Sequence, residues 1–328
     1  MVVGITDAKP IDNERLLNSD FVPFVSGDLK KRTNPLEVMK EAKSIVVVCV
    51  PQNAENALSR YILPTENIYP SFIEDLSREQ PHVAPKSDFL FGAKYSKSGR
   101  NGNLSSLGTN QDYHTKIKTT LASIAAEIKT SFVLAKTKAL TDSPTLCERS
   151  LAVRAGLGFF GKNGLLYTNK YGSLANIGLL LTDICPGELS SWVFKSTLAD
   201  SYLHHLTPGA DSCSPDCDLC IKACPNAALE EGKPLNAKLC VSYLTQKDNL
   251  NDDEGKLLHG QLFGCDICQN VCPLNKTLEA VYLDPQEIYC QTDGENAKIF
   301  ENTALNWKIE LLRRNAGLAL HNAPDSLC

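Results

Sequence analysis

The sequence predicts a mixed α/β fold followed by a small cysteine-dense module, and three features carry that expectation. Ser44 to Val50 is a short β-branched apolar run, the composition of a buried strand. Asp112 to Lys129 sets Ile117, Leu121, Ile124, Ala125 and Ile128 at helical spacing behind a potential Asp112 cap. Eight of the 13 cysteines then crowd between Cys213 and Cys272 in short, repeated spacings. A sheet covered by helices, with a thiol-rich unit after it, is the architecture those patterns describe.

The chain has 328 residues, 43% hydrophobic and 22% charged, which suffices for two domains with real cores. The first ten residues lack a basic stretch followed by an apolar one, and the longest apolar run, Ile45 to Val50, is far short of the ~20 residues of a membrane span. A soluble, cytoplasmic protein that makes no membrane contact is expected. A formal net charge of -5 argues against nucleic-acid binding by bulk electrostatics, so a nucleic-acid partner requires a local basic patch. Candidates are Lys30-Lys31-Arg32, then Lys94, Lys97 and Arg100, then Lys308, Arg313 and Arg314, with solvated surface charge as the competing reading.

Between the first strand and helix, Ser96 to Gln111 is rich in Gly, Ser and Asn without apolar period and reads as a surface loop. From Glu148 the chain starts a helix that breaks into glycines at 156, 158, 161, 164 and 172, marking tight turns or close approach of backbone to a ligand. Cys185 to Ser212 has the composition of a connector. Thr303 to Leu320 spaces Leu305, Ile309, Leu312, Ala316 and Leu320 as one amphipathic helix with Arg313 and Arg314 on its wetter side.

Cysteine spacing is the strongest signal. Cys213-x3-Cys217-x2-Cys220-x3-Cys224-Pro225 is echoed by Cys265-x2-Cys268-x3-Cys272-Pro273, with Cys240 between. Eight thiolates are what two 4Fe-4S clusters require. In two-cluster ferredoxins the fourth cysteine of such a run, followed by proline, crosses to the other cluster. That logic assigns Cys213, Cys217, Cys220 and Cys272 to one cluster and Cys224, Cys240, Cys265 and Cys268 to the other. Structural zinc also uses paired Cys-x2-Cys, but the two Cys-x3-Cys-Pro endings match cluster ligation instead. The x3 at the start of the first run departs from the ferredoxin spacing at Cys213. Cys49, inside the apolar run, reads as a small buried hydrophobe.

Several further segments are familiar: Glu148-Arg-Ser-Leu-Ala-Val-Arg-Ala-Gly-Leu-Gly158 with Gly161-Lys-Asn163, Cys240-Val-Ser-Tyr-Leu-Thr245, and Phe263-Gly-Cys-Asp-Ile-Cys-Gln-Asn-Val-Cys-Pro-Leu-Asn275. With Lys31-Arg32, Ala42-Lys-Ser-Ile45, Asp112-Tyr-His114 and Tyr171-Gly-Ser173 they resemble the epoxyqueuosine reductase family over roughly residues 1 to 320. The resemblance implies a cobalamin-binding α/β domain of flavin-reductase-like type over 1-208, a ferredoxin-like two-cluster module over 209-280, and a C-terminal helical segment over 281-328, short beside the family's helical repeats. It further implies cobalamin bound base-off with no protein ligand to cobalt, so His114 is not expected to be a ligand.

By the same resemblance Asp142 is the catalytic acid, with Arg32, Gly92, Leu166, Ile177, Leu180 and Ser242 beside the cofactor. The implied reaction reduces epoxyqueuosine to queuosine in the tRNA anticodon loop, by a monomer fed from an external electron donor. Expelling the epoxide oxygen requires a proton, and desolvation beside an apolar corrin face is expected to raise the Asp142 pKa. On the residues alone, Thr-Asp-Ser-Pro is equally a turn that starts a helix. Residues 209 to 275 hold 5 Lys plus Arg against 10 Asp plus Glu, a face unsuited to phosphate. Two other readings stay open: a corrinoid reductase of a small molecule, dehalogenase-like, and a two-cluster electron-transfer protein.

Overall fold

The computed structural model describes residues 1-11, 27-52, 61-62, 112-203, 211-275, 285-301, 305 and 308-321. It divides into two compact units. The first comprises 1-52, 113-217 and 231-237; the second comprises 53-112, 218-230 and 238-328.

In the first unit, strands β1 (Val2–Asp7), β2 (Ser44–Pro51), β4 (Thr137–Thr141) and β7 (Ala175–Thr182) form an antiparallel sheet in the order β1-β2-β7-β4. The expected strand at 44-50 is its inner strand β2, paired residue for residue with β7 from Ser44↔Thr182 to Pro51↔Ala175. A strand with both faces covered reads as a continuous apolar run rather than an alternating one, and seven consecutive residues of β2 are buried.

One face of the sheet carries helix α2 (Tyr113–Ser131). Its Ile117, Leu121, Ile124 and Ile128, spaced as expected, pack with Val46, Val48 and Leu180. Gly178 makes that contact possible, since a Cβ there would lie 2.5 Å from Ile117 Cγ2. The opposite face packs Ile45, Val47, Cys49, Leu179 and Leu181 against Leu151 and Ala152 of helix α3 (Glu148–Arg154). Cys49 is fully buried, as expected, and burial pushes its thiol up to about 12. Arg154 ties α3 to β1 by donating to Thr6 Oγ1 and the Asp7, Lys9 and Pro10 carbonyls.

The glycine-rich stretch resolves into hairpin β5 (Gly158–Phe160) and β6 (Leu166–Thr168). A Cβ on Gly158 would fall 1.9 Å from the Tyr167 carbonyl oxygen, and Gly156, Gly164 and Gly172 take left-handed conformations. Of the two roles expected for these glycines, these four positions are turns and a close approach to the chain's own backbone.

The second unit contains short helices around the cysteines and a two-stranded sheet of β3 (Tyr61–Ile62) with β8 (Gln261–Phe263). Leu262 and Phe263 of β8 share a core with Ile288, Phe300, Leu305 and the buried face of a helix at Ile309–His321. The C-terminal segment, expected as a part of its own, thus belongs to the same compact unit as most of the cysteine module. Its Arg314 is not the wet residue expected. Arg314 donates to the Thr245, Lys247 and Asp248 carbonyls, while Asn315 donates to Thr245 and Leu262. No helix among the described residues is long and apolar enough to cross a membrane.

Candidate active site and cluster site

Asp142 follows the last residue of the edge strand β4 with φ 47°, left-handed backbone that few non-glycine residues adopt and that Asp tolerates better than most. Such conformations concentrate at functional sites, where surrounding structure enforces them. Here the enforcement is visible. Ser143 Oγ accepts from the Thr145 and Leu146 amides, and Glu148 on the first turn of α3 accepts from the Ser143 amide at 2.9 Å. Ser143 and Glu148 therefore perform the helix-starting role, and the Asp142 side chain points elsewhere.

That side chain is 57% exposed and takes two partners on the same oxygen, Oδ2: His114 Nε2 at 3.0 Å and the Tyr113 hydroxyl. Both partners lie in the first turn of α2, their rings stacked with centroids 4.0 Å apart. Burial pushes the Asp142 carboxyl up, but hydrogen bonds from His114 and Tyr113, together with the His114 charge, outweigh it and hold the group below its ordinary value. With more than half of the side chain in solvent, the hydrogen bonds govern. In the chain by itself Asp142 rests as a carboxylate; the upward shift was expected beside a corrin face. Glu148, five residues after Ser143, goes the other way. Burial lifts it to about 8, helped by the Asp142 charge and opposed by the Ser143 amide.

Of the other expected cofactor neighbours, Arg32 reaches the same loop, its guanidinium donating to the Pro144 carbonyl at 3.5 Å. Leu166 and Ile177 belong to the α3 face of the sheet. Leu180 lies on the opposite face, 1% exposed beneath α2, where it fills the core and has no surface to offer a ligand. Ser242 sits in α7 (Val241–Gln246) of the second unit, its carbonyl accepting from Thr245 and Gln246. Gly92, the loop at 96-111 and Lys94, Lys97 and Arg100 lie outside the described residues. The remaining basic candidates are largely engaged: Lys30 pairs with Glu37, Arg313 with Asp293, and Arg314 with carbonyls as above.

Sequence reasoning missed Tyr113 as a partner of Asp142 and, while expecting His114 to be no cobalt ligand, did not pair it with Asp142. Asp112-Tyr-His114 stood out as a motif, but the link to a residue 28 positions away exists only in the fold.

Three buried polar atoms around this loop have no hydrogen-bond partner among the described residues: Arg32 Nε, Thr141 Oγ1 and Asn176 Nδ2. Thr141 pairs with Gly178, two residues from Asn176 and on the same side of the sheet, so two of the three lie beside Asp142 on the face that carries α2. Donors and acceptors left open beside an exposed carboxylate fit a ligand bordered with amides, as a corrin ring is.

All eight module cysteines are free thiols. Cys240 and Cys265 sense Cys224, and Cys268 senses Cys265, Cys240 and also Cys220, while burial, the leading cause, pushes Cys240, Cys265 and Cys268 upward, Cys265 to about 12. Four thiols gathered in this way fit one cubane, and their protons must leave as iron binds. Cys213 and Cys217 belong to the first unit, near Lys162, which pairs with Glu231 at 3.0 Å. Cys220 and Cys272 belong to the second. Among the described residues no three His, Cys, Asp or Glu side chains close on a single ion. The cluster assignment therefore rests on thiol chemistry and spacing.

Residues 213–275 match the family model of the 4Fe-4S double cluster binding domain. An epoxyqueuosine reductase of Listeria monocytogenes is 32% identical over 282 residues, covering 84% of this chain and 61% of that protein. A solved epoxyqueuosine reductase with a tRNA-Tyr epoxyqueuosine-modified tRNA stem loop superposes with a TM-score of 0.68 at 22% identity, covering 99% of this chain and 78% of the other. The same values hold for a Bacillus subtilis epoxyqueuosine reductase described with its catalytic aspartate loop swung out of the active site. The chain spans about three fifths of the length of the Listeria protein. In sequence over most of its length, and in fold, this chain is a relative of the epoxyqueuosine reductases.

Proposed function

We propose that this chain reduces epoxyqueuosine to queuosine in the anticodon loop of tRNA, using two 4Fe-4S clusters, a base-off cobalamin and an external electron donor. The carrying observation is Asp142: a carboxylate held in left-handed backbone at the end of a strand, half in solvent, with buried unpaired polar atoms around it. The names of its relatives supply the substrate, and the solved neighbour with a modified stem loop supports tRNA as the form in which it arrives. A substrate of that kind puts the chain, as a monomer, in the cytoplasm.

When bound, the corrinoid supplies the two-electron reducing power for the epoxide, as cofactors do for chemistry that side chains lack. The chain's own residues do the rest. Cys213, Cys217, Cys220 and Cys272 would hold one cluster, and Cys224, Cys240, Cys265 and Cys268 the other, within a ferredoxin-like module over 209-280. Arg32, Ile177 and Leu166 would border the ring in the flavin-reductase-like domain over 1-208, with Gly92 and Ser242 as further contacts. His114 would not be a cobalt ligand through Nε2, which Asp142 occupies. Asp142 delivers the proton that lets the epoxide oxygen leave.

The test is anaerobic reconstitution with iron, sulfide and cobalamin, reduction, and mass analysis of nucleosides from tRNA carrying epoxyqueuosine. Queuosine formation is expected. Tight corrinoid binding without conversion would overturn the substrate, and failure to bind any corrinoid would overturn the reductase reading altogether.

A further inference from the structure

Losing an epoxide oxygen as water, with an alkene left behind, takes two electrons and two protons. Cleaving the first C–O bond leaves an oxygen that takes one proton; cleaving the second releases that oxygen as water with the other. Asp142 rests ionised, so the proton it gives must be stored elsewhere and must arrive twice per turnover.

The geometry points to His114 as that store: we propose that each proton passes from His114 Nε2 to Asp142 Oδ2 and that the protonated carboxyl, turned about its Cβ–Cγ bond, gives that proton to the departing oxygen. This assignment rests on the epoxide-reducing function proposed above. In each passage an N–H bond of His114 breaks and an O–H bond of Asp142 forms on Oδ2; that same O–H bond then breaks as the departing oxygen takes the proton, and Asp142 returns to the carboxylate. His114 then regains a proton from water, and the two electrons are those of the external donor.

Three observations support the path. The His114 and Tyr113 contacts both fall on Oδ2, and Oδ1 has no partner among the described residues, so the carboxyl takes its proton from the protein side and has an open side toward which to turn. His114 is itself 21% exposed, enough to exchange with water yet held in the first turn of a helix anchored by Ile117 and Leu121. The Tyr113 ring stacks on the His114 ring and shares its acceptor, which fixes the imidazole facing the carboxylate. From the other side, the titratable group toward Asp142 is Glu148, with Arg32 and Arg149 near it. His114 touches no substrate in this scheme; it is a positioning residue that supplies protons through Asp142.

The experiment is an NMR titration of the His114 ring in the reconstituted, substrate-free chain, wild type against Asp142→Asn, together with single-turnover conversion from pH 6 to 9 for wild type and His114→Gln. A partnered carboxylate raises an imidazole pKa, so His114 should titrate above its ordinary ~6.5 in wild type and fall back in Asp142→Asn. His114→Gln keeps an N–H within reach of Oδ2 but stores no proton. It should slow conversion about tenfold or more and lose the wild-type pH limb, with cluster content and tRNA affinity retained. A His114 titration that ignores Asp142→Asn, or wild-type rates from His114→Gln across the pH range, overturns the proposal. A wild type that converts no epoxyqueuosine overturns the function and this role with it, while the titration still reports the pair, so the two failures are told apart.

Discussion

Cys265 and Cys268 lie three residues apart in one short turn, whereas Asp142 meets Tyr113 and His114 from 29 and 28 residues away across a helix and a strand. The cluster ligands announce themselves in local spacing, although each cluster draws on both cysteine runs; the acid site is a product of the sheet. A spacing motif shows itself in any window of the sequence that spans it, and losing one thiolate leaves three to hold a whole cluster. An assembled site degrades by degrees as each partner is removed.

The sharpest way to break that contrast is to remove one thiol from the gathered four. Cys268→Ala should lower bound iron from about eight to about four atoms per chain and abolish turnover, since the electron path is cut. Iron and sulfide analysis with EPR of the reduced protein measures it. Retention of both clusters would mean that Cys268 is not a ligand and that the gathering of Cys224, Cys240, Cys265 and Cys268 has another cause.

The acid site should respond less completely. Asp142→Asn keeps the size and the hydrogen-bonding oxygen but carries no proton, and turnover is expected to fall by about 10² to 10⁴ with iron content unchanged. Single-turnover kinetics beside iron analysis separates the two regions. A loss of iron in this variant would show that the sites are not independent.

Glu148 tests how the acid loop is held. Its carboxyl is lifted from 4.5 to about 8, so the folded chain keeps a proton between those values that the unfolded chain has lost. Stability should therefore decline as pH rises from about 5 to 8, with a slope of at most ~1.4 kcal/mol per pH unit. The residue keeps some solvent contact, so a total of ~1 to 2 kcal/mol is expected. Glu148→Gln retains an oxygen for the Ser143 amide and should flatten the slope. Denaturant unfolding at pH 5, 6.5 and 8 reads it out, and an equal slope in the variant would mean that Glu148 ionises normally in the folded chain.

The same contrast explains what could be read from residue order. Strand β2, helix α2 with its four buried apolar positions, Cys49 and the cysteine runs were all legible, because each depends on periodicity or spacing within a short window. The place of Asp142 was legible only through family resemblance. The two donors that α2 brings to it, which hold it ionised in the chain by itself, were not legible at all. Leu180 was offered as a cofactor neighbour by family resemblance, and its burial beneath α2 shows only once that helix is placed. The glycines at 156 to 172 announced close backbone approach without saying to what.

Arg314 sharpens the comparison, since here the cluster region depends on a residue outside both cysteine runs. Helix α7 follows directly on Cys240 and ends with carbonyls that lack a helical partner, as every helix end does. Arg314, 67 and 66 residues away from Lys247 and Asp248, donates to both of their carbonyls and reaches Thr245 as well. Charge-assisted bonds of this kind contribute about 1.5 to 3 kcal/mol when shielded, and Arg314 is only partly buried, so Arg314→Ala should cost ~1 kcal/mol. The loss should appear in the second unit alone: faster amide exchange over 240-248 and earlier release of iron to a chelator, with the His114–Asp142 pairing unchanged. Unaltered exchange over 240-248 would mean that the Cys240 turn is held entirely by its neighbours in sequence, and the division between a local site and an assembled one would then be complete.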